Sequence, residues 1–246
     1  MLYHDFLSNN QKALNKWVHY LPIYENHFKR FVNQSVTFYE IGVWNGGSAQ
    51  MWKRYLGPFA NIIGIDIDAN CIFCEEEQIN IEIGDQSDTA FLQSIVDKYG
   101  APDIVLDDGS HIQHHVTATF DFLYPHVTKN GVYMVEDLQT AYWDEFGGGL
   151  GREGTFIEYC KDMVDTLNAH HIREVSPLPE FTTSTFSMNF YSGLVVFEKR
   201  QWQKDGYRAV ITPASPESQI HVKNLTENAL KKNVKEDDKK TRANNV

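Results

Sequence analysis

The sequence has few of the features that mark secreted or membrane-bound proteins. Only three of its 246 residues are cysteines, Cys71, Cys74 and Cys160, and this scarcity fits a reducing compartment. There is no run of about 18 apolar residues and no signal-peptide pattern at the N-terminus. We therefore expect no membrane span and a cytoplasmic location.

Positive charge is also scarce. Lys and Arg number 22 against 33 Asp and Glu, which gives a formal net charge of −11. Nucleic acids and anionic membranes repel such a chain, so both are disfavoured as general partners. Hydrophobic residues, by contrast, make up 42% of the chain and aromatic residues 13%, enough for the packed core of one α/β domain with additions or of two small domains.

The pair Cys71 and Cys74 has C-x-x-C spacing but lacks the second half of a zinc site. Neither a second C-x-x-C pair nor a suitably spaced pair of histidines completes it. We expect two structural thiols on one helix face rather than zinc or redox chemistry.

Residues 36–48 predict a buried strand, a glycine-rich turn and the start of a helix. The strand contains Glu40 near its end, and the turn contains Gly42, Gly46 and Gly47. Such a unit opens many nucleotide-binding α/β sheets, but the glycine spacing is not the G-x-G-x-x-G of dinucleotide enzymes. A carboxylate here would repel a pyrophosphate and would suit a cation such as a sulfonium or an ammonium group. An ordinary strand-to-helix turn is the alternative.

Further strands follow, and most of them end in acidic or polar residues. The predicted strands are 61–66, 79–83, 103–106, 131–135, 172–175, 184–191 and 193–198, and the predicted helices include 88–99, 116–127 and 156–169. Alternation with helices predicts a parallel sheet that binds its ligand at the carboxyl edge, and the tight turn before the last strand predicts an antiparallel hairpin. We therefore predict an α/β fold, namely a Rossmann-like, doubly wound, mostly parallel seven-stranded sheet with a C-terminal antiparallel hairpin.

The flanking regions predict additions to this sheet. Residues 9–32 have helical apolar spacing interrupted at Pro22, which predicts two helices or one kinked helix that forms part of a lid or a subunit contact. The glycine-rich residues 147–154 form either a lid or a plain surface insertion. We divide the chain into an N-terminal helical segment (1–35), a main domain (36–202) and a partly disordered C-terminal extension (203–246).

Two motifs within this framework carry a family resemblance. They are LDDGSH at residues 106–111 and VEDLQTAYW at residues 135–143. With them, residues 40–198 resemble the class I S-adenosylmethionine-dependent methyltransferases. Within these, the chain is similar to the metal-dependent sugar O-methyltransferases of macrolide biosynthesis (the mycinamicin and demethylmacrocin type) and to cephalosporin-hydroxylase-like and rhamnosyl O-methyltransferases. The first 35 residues carry no resemblance and show no counterpart of the large N-terminal domain of the macrolide enzymes, so their substrate and quaternary arrangement are not carried over.

The resemblance implies where S-adenosyl-L-methionine would bind. Its methionine end would lie at Glu40 and Gly42, and its ribose hydroxyls would donate to Asp66, with Asp68 as the rival for that role. The two polar residues after the third strand would hold the adenine edge. Each of these residues could instead have a structural role, as a polar residue at a strand end that caps the next helix. The implied cofactor-binding residues are Glu40, Gly42, Gly46, Asp66, Asp68, Asp85, Gln86 and Asp107.

The resemblance also implies a metal-assisted reaction. Asp108, Glu136 and Asp137 would offer oxygen ligands from two strand ends, which suit Mg²⁺ or another hard divalent cation. Without a cation, three such carboxylates would repel one another. His111 would act as general base, because imidazole titrates near neutral pH. Together with the histidines three and four positions later, it could instead bind zinc.

The reaction that the resemblance implies is methyl transfer to a sugar hydroxyl. The acceptor would be a bacterial capsule or other surface glycan, a nucleotide sugar or a glycosylated natural product, and a homo-oligomer is compatible with the sequence. Tyr142 and Trp143 could form an aromatic wall for the sugar ring, or Trp143 could pack in the core. The alternatives are a non-sugar acceptor, such as a catechol-like diol or a phosphorylated group, and a non-catalytic cofactor-binding protein. The glycine spacing disfavours a dehydrogenase.

Overall fold

The computed structural model describes residues 2–9, 11–173 and 175–200; the predicted extension at 203–246 lies outside the described residues. The strands in this part of the chain are β1 (Val36–Ile41), β2 (Ala60–Asp66), β3 (Ile79–Ile83), β4 (Ile104–Asp107), β5 (Val132–Val135), β6 (Thr185–Tyr191) and β7 (Leu194–Lys199). The α-helices are α1 (Leu2–Leu7), α2 (Leu21–Phe28), α3 (Gly47–Leu56), α4 (Thr89–Tyr99), α5 (Gln113–His126), α6 (Phe156–Leu167) and α7 (Glu180–Ser184). Within the described ranges, no helix has both the length and the apolar character that a membrane span requires.

The strands form one seven-stranded sheet in the order β3-β2-β1-β4-β5-β7-β6. Strands β1 to β5 pair in parallel, whereas β7 pairs antiparallel with both β5 and β6, which confirms the predicted fold. The strand order reverses between β1 and β4, and open α/β sheets bind their ligands at such a switch point. Ile41 pairs there with Asp107, which in turn pairs with Val135. The ends of β1, β4 and β5 therefore lie side by side.

Successive side chains of β1 point to opposite faces of the sheet, and each face carries its own core. Phe38 packs against Trp52 of α3 and Phe28 of α2, with ring centroids 5.2 and 6.1 Å apart. Tyr39 belongs to the core of the other face, together with Phe120 of α5. Because each buried aromatic side chain removes about 150–250 Å² from water, these contacts supply much of the apolar stabilisation. They also attach α2 firmly to the sheet.

The prediction of helices over residues 9–32 is confirmed for residues 18–31, which form α2 between two short 3₁₀ turns, but it is wrong for the residues before them. Residues 13–17, which we call the strap, have no regular structure. Helix α2 begins at Leu21, so Pro22 lies in its first turn, where the missing N–H of proline costs no hydrogen bond. The cause is a tertiary contact: the strap lies over the sheet edge and buries the side chain of Lys16 there.

Two other element predictions need correction. Ile172 and Arg173, predicted to lie in a strand, are in a coil and a turn. Beyond β5 the sheet continues with β7 and then β6, so the hairpin and not this short stretch extends the sheet. Helix α5 begins at Gln113, earlier than predicted, and the side chain of Gln113 accepts a hydrogen bond from the Phe156 N–H at 2.9 Å. This bond connects the start of α5 to the start of α6.

Candidate active site

The close approach of β1 and β4 explains one of the glycines predicted to bind the cofactor. Gly42 follows β1 with φ +90°, and a Cβ there would lie 2.1 Å from the carbonyl oxygen of Asp108. Any other residue would collide with the backbone, so only glycine lets the two strand ends meet. Gly46 is left-handed as well, with φ +73°, and caps α3.

Asp66, the predicted ribose ligand, shapes the glycine-rich turn. Its Oδ2 accepts hydrogen bonds from the N–H groups of Val43 and Trp44, at 2.8 and 3.1 Å, and its Oδ1 accepts one from Asp68 N–H at 2.9 Å. Burial opposes the charge, but these three donors outweigh it and hold the pKa of Asp66 below its ordinary value. Asp68, its rival, accepts from Asn70 N–H at 2.9 Å.

Asp66 and Asp68 both line a cavity beside the glycine-rich turn, with Gly42, Ser48 and Asp108 among its other walls. Glu40 lies behind Ser48 and is fully buried. Its Oε1 accepts hydrogen bonds from Ser48 Oγ and from Trp52 Nε1, whereas its Oε2 has no partner. Burial raises the pKa of Glu40 to about 7. A buried carboxylate oxygen without a donor is costly, so a cationic group next to Ser48 fits this end of the cavity.

Gln86 and Asp107, both predicted to bind the cofactor, form a buried network under a second cavity. Gln86 Nε2 donates to Asp107 Oδ1 at 3.2 Å and to Thr119 Oγ1 at 3.0 Å, while its Oε1 accepts from Ser110 N–H at 2.7 Å. Burial raises the pKa of Asp107 to about 7. These contacts hold the loop after β4, and Gln86 also lines the cavity, whereas Asp107 lies beneath it.

Asp85 lies on the open side of this second cavity. Its carboxylate accepts hydrogen bonds from the N–H and Oγ of Ser87, both at 2.8 Å, and these bonds lower its pKa. Ile41 and Ile65 give the cavity apolar walls, which suit the flat face of a base. The cavity adjoins the first one, with Asp66 and Gly42 in the walls of both.

Two of the three predicted metal ligands meet the predicted base. His111 Nε2 lies 3.7 Å from Asp108 Oδ1 and 3.8 Å from Asp137 Oδ2. One atom from each residue lies within 4.8 Å of the others, close enough for one metal ion. His111 and Asp137 have φ of +58° and +54°, a left-handed backbone that costs a non-glycine residue about 1–3 kcal/mol and clusters at functional sites.

Glu136, the third predicted ligand, turns away from this group into the protein. Both of its oxygens accept from Lys16 Nζ, at 3.1 and 3.0 Å, and Oε1 also accepts from Tyr24 OH at 2.5 Å. Burial and the charge of Asp108 raise the pKa of Glu136, whereas Lys16 and Tyr24 favour its charged form. The three donor contacts are the pattern that an ionised carboxylate requires.

Lys16 is the functional residue that the sequence analysis missed. Its Nζ also lies 2.5 Å from Asp108 Oδ2. Burial alone would lower the pKa of Lys16, but the nearby carboxylates, above all Asp108 and Glu136, raise it instead. One signal was present: a lone lysine between Leu14 and Trp17 in a chain whose strand ends are acidic.

A third, larger cavity opens on the other side of Lys16 and Asp108. Its walls include His111 and Asp137 and two partly exposed tryptophans, Trp17 of the strap and Trp143. The aromatic wall proposed for a sugar is therefore available from Trp143, which is not a core residue. Lys16 and Asp108 line both this cavity and the one beside the glycine-rich turn, so the two share a wall.

The three-histidine zinc site has no support in this geometry. His111 precedes α5, so it does not share a helical face with the two later histidines. Among the described residues, the one group with metal-binding geometry consists of Asp108, His111 and Asp137. His115 Nδ1 instead lies 3.2 Å from Ser110 Oγ. Cys71 and Cys74 are buried and not bonded to each other.

No protein-family model matches the chain. Among characterised proteins it is 40% identical to demethylmacrocin O-methyltransferase of Streptomyces fradiae, over 64% of this chain and 42% of that protein. It is 38% identical to an 8-demethyl-8-α-L-rhamnosyl tetracenomycin-C 2′-O-methyltransferase of Streptomyces olivaceus, over 76% of this chain and 52% of that protein. A crystal structure of the MycE methyltransferase of the mycinamycin pathway, in complex with Mg and SAH, superposes with a TM-score of 0.71.

That superposition covers 82% of this chain and 54% of MycE at 34% sequence identity. The described part of the chain has the fold of a class I methyltransferase domain. The chain spans about half the length of the relatives that it matches. In this fold, the cavities beside Asp66 and Gln86 lie at the carboxyl ends of β1 to β4, and the tryptophan-lined cavity lies at those of β4 and β5.

Proposed function

We propose that this methyltransferase domain transfers a methyl group from S-adenosyl-L-methionine to a sugar hydroxyl with the help of a hard divalent cation such as Mg²⁺. Two lines of support come from its relatives: those quoted above are named as O-methyltransferases of macrolide or rhamnosyl substrates, and MycE binds both Mg and SAH. The observation that carries the proposal is the geometry at His111, whose Nε2 faces Asp108 and Asp137 in the tryptophan-lined cavity. Asp108 also lines the cavity beside the glycine-rich turn.

The cofactor would occupy the two cavities beside the glycine-rich turn. S-adenosyl-L-methionine supplies an activated methyl group on a sulfonium, so the domain itself has to bind and orient the two reactants. Gly42 lines the first of these cavities and would contact the methionine end, and the unpartnered oxygen of Glu40 suits the adjoining ammonium. Asp66 holds the conformation of the turn. Asp85 and Gln86 would lie at the adenine edge.

The cation would be held by Asp108, Glu136 and Asp137, the three ligands that the sequence predicts. Carboxylate oxygens are the ligands that hard cations prefer, and a bound cation would make the acceptor hydroxyl more acidic. His111 Nε2 would then take the hydroxyl proton. Asp108 and Asp137 flank the ring and stabilise the imidazolium that results. Trp17 and Trp143 would form the walls for the sugar ring.

The acceptor that we favour is a deoxysugar on a small natural product rather than a polysaccharide. The matched relatives are named for macrolide, tetracenomycin and oleandolide glycosides, and the tryptophan-lined cavity is about 530 Å³, a volume typical of small-molecule sites. A surface glycan or a nucleotide sugar would have to place one terminal sugar in the same space.

The test is methyl transfer by the full chain to a panel of acceptors. The panel would contain a macrolide glycoside with a free deoxysugar hydroxyl, a rhamnosylated aromatic, a nucleotide sugar and a catechol, and SAH release and product mass would be measured. We expect turnover with one or both glycosides, loss of turnover after EDTA treatment and recovery with Mg²⁺. Turnover with catechol alone would contradict the sugar assignment, and SAH binding without turnover on any acceptor would favour a non-catalytic binder.

A further inference from the structure

Lys16 makes contacts that a metal ion would also make. Its Nζ lies 2.5 Å from Asp108 Oδ2 and 3.1 and 3.0 Å from the two oxygens of Glu136, and its side chain is 2% exposed. The ammonium group therefore donates its hydrogen bonds to two carboxylates, which follow the ends of β4 and β5.

Charge balance explains why this lysine is drawn into the site. Glu136 is buried, and the pair of carboxylates at the adjacent strand ends would repel each other without a cation. A buried charge is tolerated when it is paired and hydrogen-bonded, and Lys16 provides both kinds of stabilisation. A hard divalent cation bound to Asp108 and Glu136 would satisfy the same oxygens. Two cations that need the same carboxylates cannot both hold them in this arrangement.

We propose that Lys16 is the resident counter-ion of Asp108 and Glu136, and that a divalent cation binds this domain by displacing the Lys16 ammonium from them. The proposal depends on the proposed metal site but not on the methyl-transfer reaction. Tyr24 continues to hold Glu136 through its hydroxyl during the exchange. Lys16 is thus a positioning residue that keeps the carboxylates in place until the cation arrives.

Displacement of Lys16 would affect both cavities, because residues of the strap line each of them. Asn15 and Lys16 line the cavity beside the glycine-rich turn and also the tryptophan-lined cavity, and Trp17 Nε1 donates to Asp137 Oδ1 at 3.1 Å. Release of the Lys16 side chain therefore frees strap residues at the two places where the reactants would bind. Just before the strap, Lys12 donates to the Cys74 carbonyl at 3.2 Å, a contact that no cation at Asp108 would disturb.

The first experiment follows Lys16 directly in the wild-type chain. The protein is treated with an amine-reactive ester at low occupancy, with and without saturating Mn²⁺, and the labelling of each lysine is quantified by mass spectrometry. We expect labelling of Lys16 to rise at least about fivefold with Mn²⁺ while labelling of Lys12 stays constant. Mn²⁺ binding with unchanged Lys16 labelling would overturn the displacement and would leave the metal site intact.

The second experiment measures the competition. Mn²⁺ binding is titrated by electron paramagnetic resonance in the wild type, in Lys16→Met and in the control Lys12→Met, both made in the full chain. Removal of the competing ammonium should tighten Mn²⁺ binding about tenfold or more in Lys16→Met and leave Lys12→Met like the wild type. Equal or weaker binding by Lys16→Met would refute the proposal, and absence of Mn²⁺ binding in all three proteins would refute the metal site as well.

Discussion

Two carboxylates at the same sheet edge are stabilised in opposite ways: Asp66, on the side of the proposed cofactor cavities (the cofactor side), and Glu136, on the side of the proposed metal site (the metal side). On the cofactor side, Asp66 accepts three backbone N–H groups from its own neighbourhood, and its pKa is lowered. On the metal side, burial raises the pKa of Glu136, and the Lys16 side chain of the distant strap balances its charge. Backbone donors are fixed by the fold, whereas a side-chain cation can leave. The first side is thus a preformed pocket, and the second is a site whose charge balance a ligand can change.

The largest expected effect separates chemistry from cofactor binding. His111→Ala should reduce kcat by about 10²–10⁴-fold, because general-base assistance is typically worth that factor. Binding of SAH should not change, since His111 lines the tryptophan-lined cavity and none of the cavities beside the glycine-rich turn. Steady-state SAH release and calorimetric SAH titration measure the two quantities.

The control for this variant is His114→Ala. His114 is only three residues away but does not belong to the group formed by Asp108, His111 and Asp137, so its loss should leave kcat near the wild-type value. Unchanged turnover in His111→Ala would remove His111 from the role of base.

The second prediction concerns stability without metal. In EDTA, Lys16→Met should lower the free energy of unfolding by about 3–5 kcal/mol, because removing one partner of a buried ion pair leaves the other charge uncompensated. Lys12→Met should cost less than about 1 kcal/mol, since it removes a single hydrogen bond to the Cys74 carbonyl. Urea unfolding followed by circular dichroism measures both. Equal losses in the two variants would mean that Lys16 does not neutralise the buried carboxylates.

On the cofactor side, the sequence predicted the secondary structure and the glycine-rich turn well, because these signals are local. The order of strands and helices, the glycines after β1 and the acidic residue at the end of β2 all belong to one continuous strand–turn–helix–strand pattern, and Gly42 has the left-handed conformation that such a turn needs. The role of Asp66 as an acceptor for the turn's own N–H groups follows from the same short stretch of chain, although only the structure showed it.

The metal side could be predicted only in part, because its decisive contacts join distant residues. The acids at 108, 136 and 137 stand at strand ends, which the sequence reveals. Lys16, however, lies 92 residues from Asp108 and 120 from Glu136, and no periodic pattern links them. The strap was predicted to be helical for the same reason: its apolar spacing was visible, whereas the long-range charge that determines its conformation was not.

The pH dependence of stability should have opposite signs for two carboxylates near the glycine-rich turn, Glu40 and Asp66. The folded-state pKa of Glu40 is raised to about 7, so in the ligand-free protein its contribution stabilises at low pH and is lost as pH rises from about 4.5 to 7. The slope is at most ~1.4 kcal/mol per pH unit for one proton. Glu40→Gln should remove this decline. Asp66 has a lowered pKa, so its contribution is present at neutral pH and is lost only on acidification, and Asp66→Asn should remove that loss. Urea unfolding from pH 2.5 to 8 tests both, and a decline between pH 4.5 and 7 that persists in Glu40→Gln would contradict the assignment.

The smallest expected effect tests whether the metal side also binds a sugar ring. Trp143 and Tyr142 are neighbours with nearly equal exposure, 46% and 48%, but only Trp143 lines the cavity that contains His111 and Asp137. An aromatic face contributes about 0.5–1.5 kcal/mol beyond simple burial, so Trp143→Ala should raise KM for the glycoside about 3- to 10-fold. KM for S-adenosyl-L-methionine should stay constant, and Tyr142→Ala should change neither constant. A rise in KM for the cofactor instead would mean that Trp143 contributes to cofactor binding. An equal effect from both variants would mean that Trp143 has no specific contact with the sugar ring.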